Sequence, residues 1–140
     1  MENLIKLLNE AVKAEYQAIH QYNNHYNNVR DKHPEIIDHF KEHMDDELGH
    51  ANQLVARIYT MGGVPTIEMK PVAEYTENIE EALKQDIIGE QEAIDLYTSI
   101  LDYCDEIHDR ATTVMIEAIL TDEVSHLDEF AKLRRSTVIR

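Results

Sequence analysis

Tryptophan is absent from the 140-residue chain, cysteine occurs once, proline three times and glycine four times. A lone cysteine excludes an intrachain disulfide framework and any cysteine-rich zinc or iron–sulfur site. So little glycine and proline leaves too few turns for a many-stranded sandwich or barrel. Basic residues are scarce as well: 13 lysines and arginines stand against 28 aspartates and glutamates, a formal charge of −15. That balance argues against nucleic-acid binding through a basic surface and against a polybasic membrane anchor. It suits a protein that gathers cations. No apolar run is long enough to span a bilayer, and Met1–Lys6 opens an amphipathic pattern rather than a signal peptide. Yet 43% of the residues are hydrophobic, too many for a disordered acidic chain. The expectation is a soluble, cytoplasmic, all-α protein whose residues 1–140 form one domain.

The few helix-breaking residues divide the chain. Pro34 follows an asparagine-rich stretch, Met61-Gly62-Gly63-Val64-Pro65 ends a second segment, Pro71 comes soon after, and Asp102–Asp109 is polar. Glycine at a helix end with proline just beyond it is a stop signal. Four helices are predicted, at roughly 2–29, 34–61, 77–103 and 108–135. The first and third breaks are short and join antiparallel neighbours. The middle connection, 62–76, is long. Fully extended it reaches roughly 50 Å, against about 42 Å for a helix of about 28 residues. It can run the length of a bundle and make the second and third helices parallel, which predicts a ferritin-like four-helix bundle with a long crossover.

Each predicted helix carries an a/d stripe that is apolar except for a glutamate near its middle. Glu15 lies between Val12 and Ile19, Glu47 between Met44 and Ala51, Glu90 between Ile87 and Ile94, and Glu123 between Leu120 and Leu127. The sequence also repeats. Glu15-x-x-Ala18-Ile19-x-x-Tyr22 returns as Glu90-x-x-Ala93-Ile94-x-x-Tyr97, and Asp46-Glu47-x-x-His50 returns as Asp122-Glu123-x-x-His126. The chain therefore reads as a duplicated helical hairpin with a pseudo-twofold axis. A site on that axis would receive matching groups from both halves.

Four converging buried carboxylates need a counter-charge. At about 100° per residue, Lys6 and Lys13 fall opposite Glu15, Lys132 and Arg110 fall away from Glu123, and Arg57 is nearly three turns from Glu47. No base is placed to neutralise the middle of the bundle, so metal is the economical solution. His50 and His126 are each i+3 from a stripe glutamate and share its helix face. Four carboxylates balance two divalent ions, and the set of four glutamates and two histidines matches the arrangement of dimetal-carboxylate bundles. Carboxylate and imidazole without thiolate suits iron, with manganese as the alternative.

At these residues the sequence resembles bacterioferritins, within the ferritin-like superfamily. The resemblance runs from about Ile5 to Leu133. It takes in Leu7-Leu8-Asn9-Glu10, Glu15-x-x-Ala18-Ile19-x-Gln21-Tyr22, Glu47-x-x-His50-Ala51, Met61-Gly62-Gly63-Val64-Pro65, Glu90-x-Glu92-Ala93-Ile94 and Asp122-Glu123-x-x-His126-Leu127-Asp128. It implies two iron ions per chain. Glu47 and Glu123 would bridge them, Glu15 with His50 would complete one set, and Glu90 with His126 the other. It implies oxidation of Fe(II) by O2 or H2O2, storage of the ferric product, and a homo-oligomer. Three positions depart from the family pattern. Leu48 replaces the methionine that ligates haem, so haem is not expected at the usual position. The chain stops at Ser136–Arg140 with no room for the fifth helix of the 24-subunit shell, which admits a dimer or a smaller shell. Glu42 stands where the inner-surface iron site has histidine, although Asp46 matches its aspartate.

Competing readings have their own signatures. A rubrerythrin-like peroxidase would carry another glutamate one turn after the third-helix ligand, where this chain has Ala93, and often a cysteine-rich module. Manganese catalases share the architecture but are larger. A DNA-protecting mini-ferritin places its metal between subunits. A helical interaction module could bind metal for structure only. Tyr22, on the ligand stripe, is either a core tyrosine or a catalytic residue that bonds a ligand or supplies an electron. Its repeat partner Tyr97 and the stripe residue Cys104 are read as packing. His39 and His43 are read as polar surface near the ligand face, with His39–His43 as an alternative iron-access site. No role is given to His20, His25, His33 or His108.

Overall fold

The structure, a computed structural model, describes residues 1–29 and 32–139. Four helices make up the fold: α1 (Glu2–Val29), α2 (Ile37–Thr60), α3 (Ile79–Glu106) and α4 (Arg110–Ile139). No strand occurs among the described residues, and no helix is long and apolar enough to cross a membrane. Arg140 lies outside the described residues.

Helix boundaries shift from the sequence expectation for local reasons. Helix α2 starts at Ile37 rather than 34, because Pro34–Ile36 is spent on a tight turn in which the Ile36 N–H donates to the His33 carbonyl at 3.1 Å. Helix α3 starts at Ile79 rather than 77, where the Asn78 side chain accepts from the Glu81 N–H at 2.9 Å. It runs on to Glu106 rather than 103, and His108 makes the reversal at φ +61°. Asp109 then accepts from the Thr112 N–H at 2.9 Å and from its hydroxyl at 2.8 Å, opening α4. Helix α4 continues past 135 to Ile139, with neither glycine nor proline to stop it.

The crossover follows α1 along its length. Asn9 holds Val64 and Thr66, the Lys70 N–H donates to the Lys13 carbonyl, Gln17 holds Pro71, Gln21 holds Ala73, and Asn28 holds Thr76. Later crossover residues meet later α1 residues, so the connection ends where α1 ends and α2 and α3 run parallel, as the length argument predicts. At its start Gly62 has φ +81°, a conformation that suits glycine. A Cβ on Gly63 would lie 2.8 Å from Ile5 Cγ2 and 3.0 Å from Ile58 Cγ2. Gly63→Ala is expected to cost about 1–3 kcal/mol, read as a lower urea midpoint at an unchanged slope.

Helix α1 packs along α2 and against α3; α3 packs along α4; α2 meets α4 less extensively than α1 meets α3, and the backbones of the diagonal pairs α1–α4 and α2–α3 lie farther apart still. Two apolar clusters form the core. One gathers Leu4, Leu8, Leu54, Ile58, Ile100 and Ile116. The other gathers Tyr22, Val29, Phe40, Leu83 and Phe130. Cys104 is buried in the first, as packing predicts. Between the two clusters lies a layer of buried charge.

Candidate metal centre

The charged layer holds all six residues that the stripe and repeat arguments select. Glu15 comes from α1, Glu47 and His50 from α2, Glu90 from α3, and Glu123 and His126 from α4. The four glutamates are each 1% exposed or less. His50 Nδ1 is 2.9 Å from Glu123 Oε1, 3.3 Å from Glu47 Oε1 and 3.7 Å from Glu15 Oε1. His126 Nδ1 is 3.3 Å from Glu47 Oε1 and 3.4 Å from Glu90 Oε1. Two sets have ligand atoms within 4.8 Å of one another, Glu15–Glu47–His50–Glu123 and Glu47–Glu90–Glu123–His126. Glu47 and Glu123 belong to both.

The atoms facing inward lack hydrogen-bond partners. They are Glu15 Oε2, Glu47 Oε1, Glu90 Oε2, both oxygens of Glu123, and Nδ1 of His50 and of His126. Orphaned buried polar atoms are costly and rare. Seven of them converging on one place fit a pair of cations. The donors are hard oxygens and imidazole nitrogens, a set that suits iron or manganese. Among the described residues, no lysine or arginine pairs with any of the four glutamates; Arg57 instead pairs with Asp109 at 3.5 Å, beside Thr112.

Electrostatics reports the same shortage of positive charge. Burial, then the charges of Glu15 and Glu90, pushes the Glu47 carboxyl well above the usual range. Burial and the neighbouring Glu47 and Glu15 do the same to Glu123. Burial opposes ionisation of Glu90 too, but hydrogen bonding with Glu123, His126 and Tyr22 outweighs it and holds Glu90 low. Burial works against protonation of His50, yet Glu123, Glu15 and Glu47 raise it strongly. His126, likewise opposed by burial, is lifted to about 9 by Glu90, Asp46 and Glu123. Without metal, protons are the cations of this layer.

A second ring of residues orients the first. His50 Nε2 lies 2.8 Å from Asp122 Oδ2, and His126 Nε2 lies 2.9 Å from Asp46 Oδ2. Each aspartate sits on the opposite hairpin from the histidine it holds, and each leaves Nδ1 free to face inward. The sequence reading quoted Asp46 and Asp122 in the repeat but gave neither this role; their recurrence before each glutamate was the available signal. Tyr22 donates its hydroxyl to Glu90 Oε1. Tyr97, expected to be packing only, donates to Glu15 Oε1. Burial, then nearby glutamate charge, pushes both phenols well up, so they act as neutral donors.

Three further residues correct the sequence reading. His43 is not polar surface: it is 2% exposed, and its ring stacks on His126 with centroids 4.0 Å apart. Its Nε2 lies 3.2 Å from Glu129 Oε2, while the half-exposed His39 bonds the other oxygen of Glu129. Burial, and then His126, lowers the His43 pKa. His25 and Asp86, left without roles, form a buried pair at 2.8 Å, and Gln21 donates to Asp86 at 2.8 Å. Asp86 is four residues before Glu90, one turn away on the same face. A cavity of about 30 Å³ between α1 and α3 is lined by Gln21, Asp86, Gly89 and Ala93 together with Glu47 and Glu123. Leu48 lies on the outer side of α2, half exposed, and carries no donor atom.

Comparison with known proteins follows the same lines. The family model described as the ferritin-like domain matches residues 5–137. The chain is 32% identical over 126 residues to a bacterioferritin of Rhodobacter capsulatus, covering 89% of this chain and 78% of that one. It is 30% identical over 131 residues to a bacterioferritin of Desulfovibrio desulfuricans, covering 93% and 73%. Among solved structures, the Rhodobacter capsulatus bacterioferritin, described with a metal-free dinuclear site and a haem iron, superposes with a TM-score of 0.90 at 31% identity, covering 94% of this chain and 83% of that one. A ferritin-like, diiron-carboxylate protein of Bacillus anthracis also gives 0.90, at 30% identity, covering 95% and 96%.

Proposed function

The chain belongs to the ferritin-like family and within it is bacterioferritin-like, and from that premise we propose that it is a ferroxidase: it binds two Fe(II) ions in the charged layer, oxidises them to Fe(III), and so stores or detoxifies iron. The observation that carries this reading is the convergence of seven unpartnered ligand atoms from six residues of four helices. Glu47 and Glu123, which occur in both sets, would serve both metal positions. Glu15 with His50 and Glu90 with His126 complete the two sites. Two Fe(II) ions held by these residues would supply two electrons together to O2 or H2O2, each becoming Fe(III). The chain's own contribution is to hold the ligands ready, to exclude bulk water with the two apolar clusters, and to fix each imidazole through an aspartate. Tyr22 is assigned the role of hydrogen-bond donor to Glu90, from which it can also supply an electron.

The same reading takes residues 1–140 as one ferritin-like domain in the cytoplasm. It assigns no haem at the usual family position, because Leu48 offers no ligand atom. It assigns a homo-oligomer, a dimer or a shell, in which exposed apolar side chains such as Leu48, Tyr59 and Ile67 gain cover. Nucleic acid and membrane have no place in it.

The test is an anaerobic titration of metal-free protein with Fe(II), followed by admission of O2. Saturation at two irons per chain with prompt oxygen uptake is expected, and retention of further iron on continued addition would add storage. Tight binding of two metals without oxygen consumption would replace the ferroxidase reading with a structural or manganese site. Within the centre, Asp46→Asn is expected to weaken metal binding at the His126 position by about 10–100-fold, leaving the His50 position near its parent affinity. A Co(II) titration that splits into one tight and one weak step is the readout.

A further inference from the structure

The pseudo-twofold axis exchanges two contacts that the ligand assignment does not use. Tyr22 and Glu90 are the repeat partners of Tyr97 and Glu15, and each tyrosine bonds the glutamate of the other half. In both pairs the hydroxyl takes Oε1, and in both pairs Oε2 is left without a partner. Among the described residues, by contrast, no tyrosine bonds either oxygen of Glu123, both of which face the candidate ligands. One pair of carboxylates is stripped to a single free oxygen; in the layer between them a carboxylate keeps two.

We propose that Tyr97 is a positioning residue for the metal centre: by occupying Glu15 Oε1 it leaves Glu15 Oε2 as the one oxygen offered to the metal at the His50 position, as Tyr22 does for Glu90 at the His126 position. The proposal rests on the dinuclear reading above. Its physical basis is selection between two otherwise equivalent atoms. A free carboxylate can turn, chelate or bridge. A carboxylate with one oxygen held by a phenol presents the other in a fixed place, and no other partner competes for it. Tyr97 is fully buried, so its hydroxyl exchanges no partner with solvent, and the hydrogen bond to a charged acceptor is of the strong class. Packing alone would put a ring here but would not require the hydroxyl, nor the matching arrangement across the axis. The two tyrosines thereby make the terminal ligands of the two positions equivalent, although the flanking residues differ.

The test crosses each tyrosine with each metal position, using Co(II) without oxygen as the probe. His126→Ala leaves only the Glu15–His50 position with its full terminal set, and His50→Ala leaves only the Glu90–His126 position. In the His126→Ala background, Tyr97→Phe is expected to weaken Co(II) binding by about 10–100-fold and to change the visible spectrum of the bound ion, while Tyr22→Phe leaves both near the background. In the His50→Ala background the two substitutions exchange effects. Phenylalanine keeps the ring and its packing, and an unchanged helical circular-dichroism spectrum with cooperative melting of the metal-free single variants, Tyr97→Phe and Tyr22→Phe, checks that the bundle is intact. Equal effects of both tyrosines in both backgrounds, or no effect of Tyr97→Phe in either, overturn the assignment. Failure of the parent protein to bind two Co(II) ions would overturn the dinuclear reading itself and this inference with it. Two bound ions without the crossed pattern would overturn this inference alone.

Discussion

Glu47→Gln yields a protein that melts higher than the parent when metal is absent and that no longer binds a pair of metal ions. Glu47 is one of four glutamates that share the buried layer, and its oxygens serve both candidate sets. Burial and the charges of Glu15 and Glu90 lift its pKa in the folded protein. A carboxyl whose pKa rises on folding holds its proton more tightly in the folded state. Its favourable contribution is complete below the unfolded pKa and is lost as pH rises through the folded one. The neutral amide of glutamine abolishes that loss while keeping the volume. Once the carboxyl is ionised, each unit by which its folded pKa stands above its unfolded one costs about 1.4 kcal/mol, and the glutamine variant is spared that cost. For a chain of this length that raises the melting temperature on the order of 5–15 °C. The gain should be largest above neutral pH and should shrink towards pH 5, where the carboxyls carry protons. Function moves the other way: loss of the shared carboxylate removes a ligand from both positions at once, and Fe(II)-dependent oxygen uptake should fall to the buffer rate. A Glu47→Gln protein that melts lower than the parent at pH 8, with its fold intact, would contradict the charge argument. Two bound irons per chain in that variant would contradict the ligand assignment.

The second large effect is the separation of metal-free and metal-loaded protein with pH. His126 is held near 9 in the fold against an ordinary value of 6.5. The stabilisation that protonated His126 brings is complete below about 6.5 and disappears as pH rises through about 9. Glu47 and Glu123, whose pKa values are also raised, lose stability in the same direction. The metal-free bundle should therefore weaken steadily across this window. Metal reverses the trend, because it takes the place of the protons and competes better as their activity falls. At free metal about 1,000 times Kd, each site adds about 4 kcal/mol, so two sites raise the melting temperature on the order of 20 °C. Calorimetry of chelator-treated and Co(II)-loaded protein from pH 6 to 9 should show two diverging curves. Parallel curves would mean that the protons and the metals do not occupy the same place.

Much of this centre is legible in the chain. A glutamate in the middle of an otherwise apolar stripe is costly unless something balances it, and four such positions with two histidines at i+3 pick out the six candidate ligands that the structure brings together. The crossover direction follows from reach alone. What escaped the stripe argument is where side chains of different helices meet. Stripes drawn through Met44 and Ile87 make those residues the buried ones. The structure instead buries His43 and Asp86 fully, and leaves Met44 and Ile87 only partly covered. Both buried residues lie one turn before a stripe glutamate, on its own face, so the spacing was visible. Their partners, Glu129 and His25, are on other helices, and helix periodicity carries no information about those. Tyr97 is different. Once Tyr22 is placed on Glu90, the repeat itself demands Tyr97 on Glu15, and only the habit of reading a buried tyrosine as packing hides it.

The hairpins divide the labour of the centre in an unusual way. Each metal set draws on three helices, and each includes groups from α1–α2 and from α3–α4. Even the aspartates that aim the imidazoles reach across from the opposite hairpin. Neither half of the molecule owns a metal. Of the two helix pairs that join the halves, α2 with α4, which contribute the shared carboxylates, meet less extensively than α1 with α3, and the charged layer lies on that seam between the Phe40–Phe130 contact and the Arg57–Thr112 bond. Metal ions held in this layer would therefore act as rivets between the two hairpins, and a site could be complete only once the hairpins have docked.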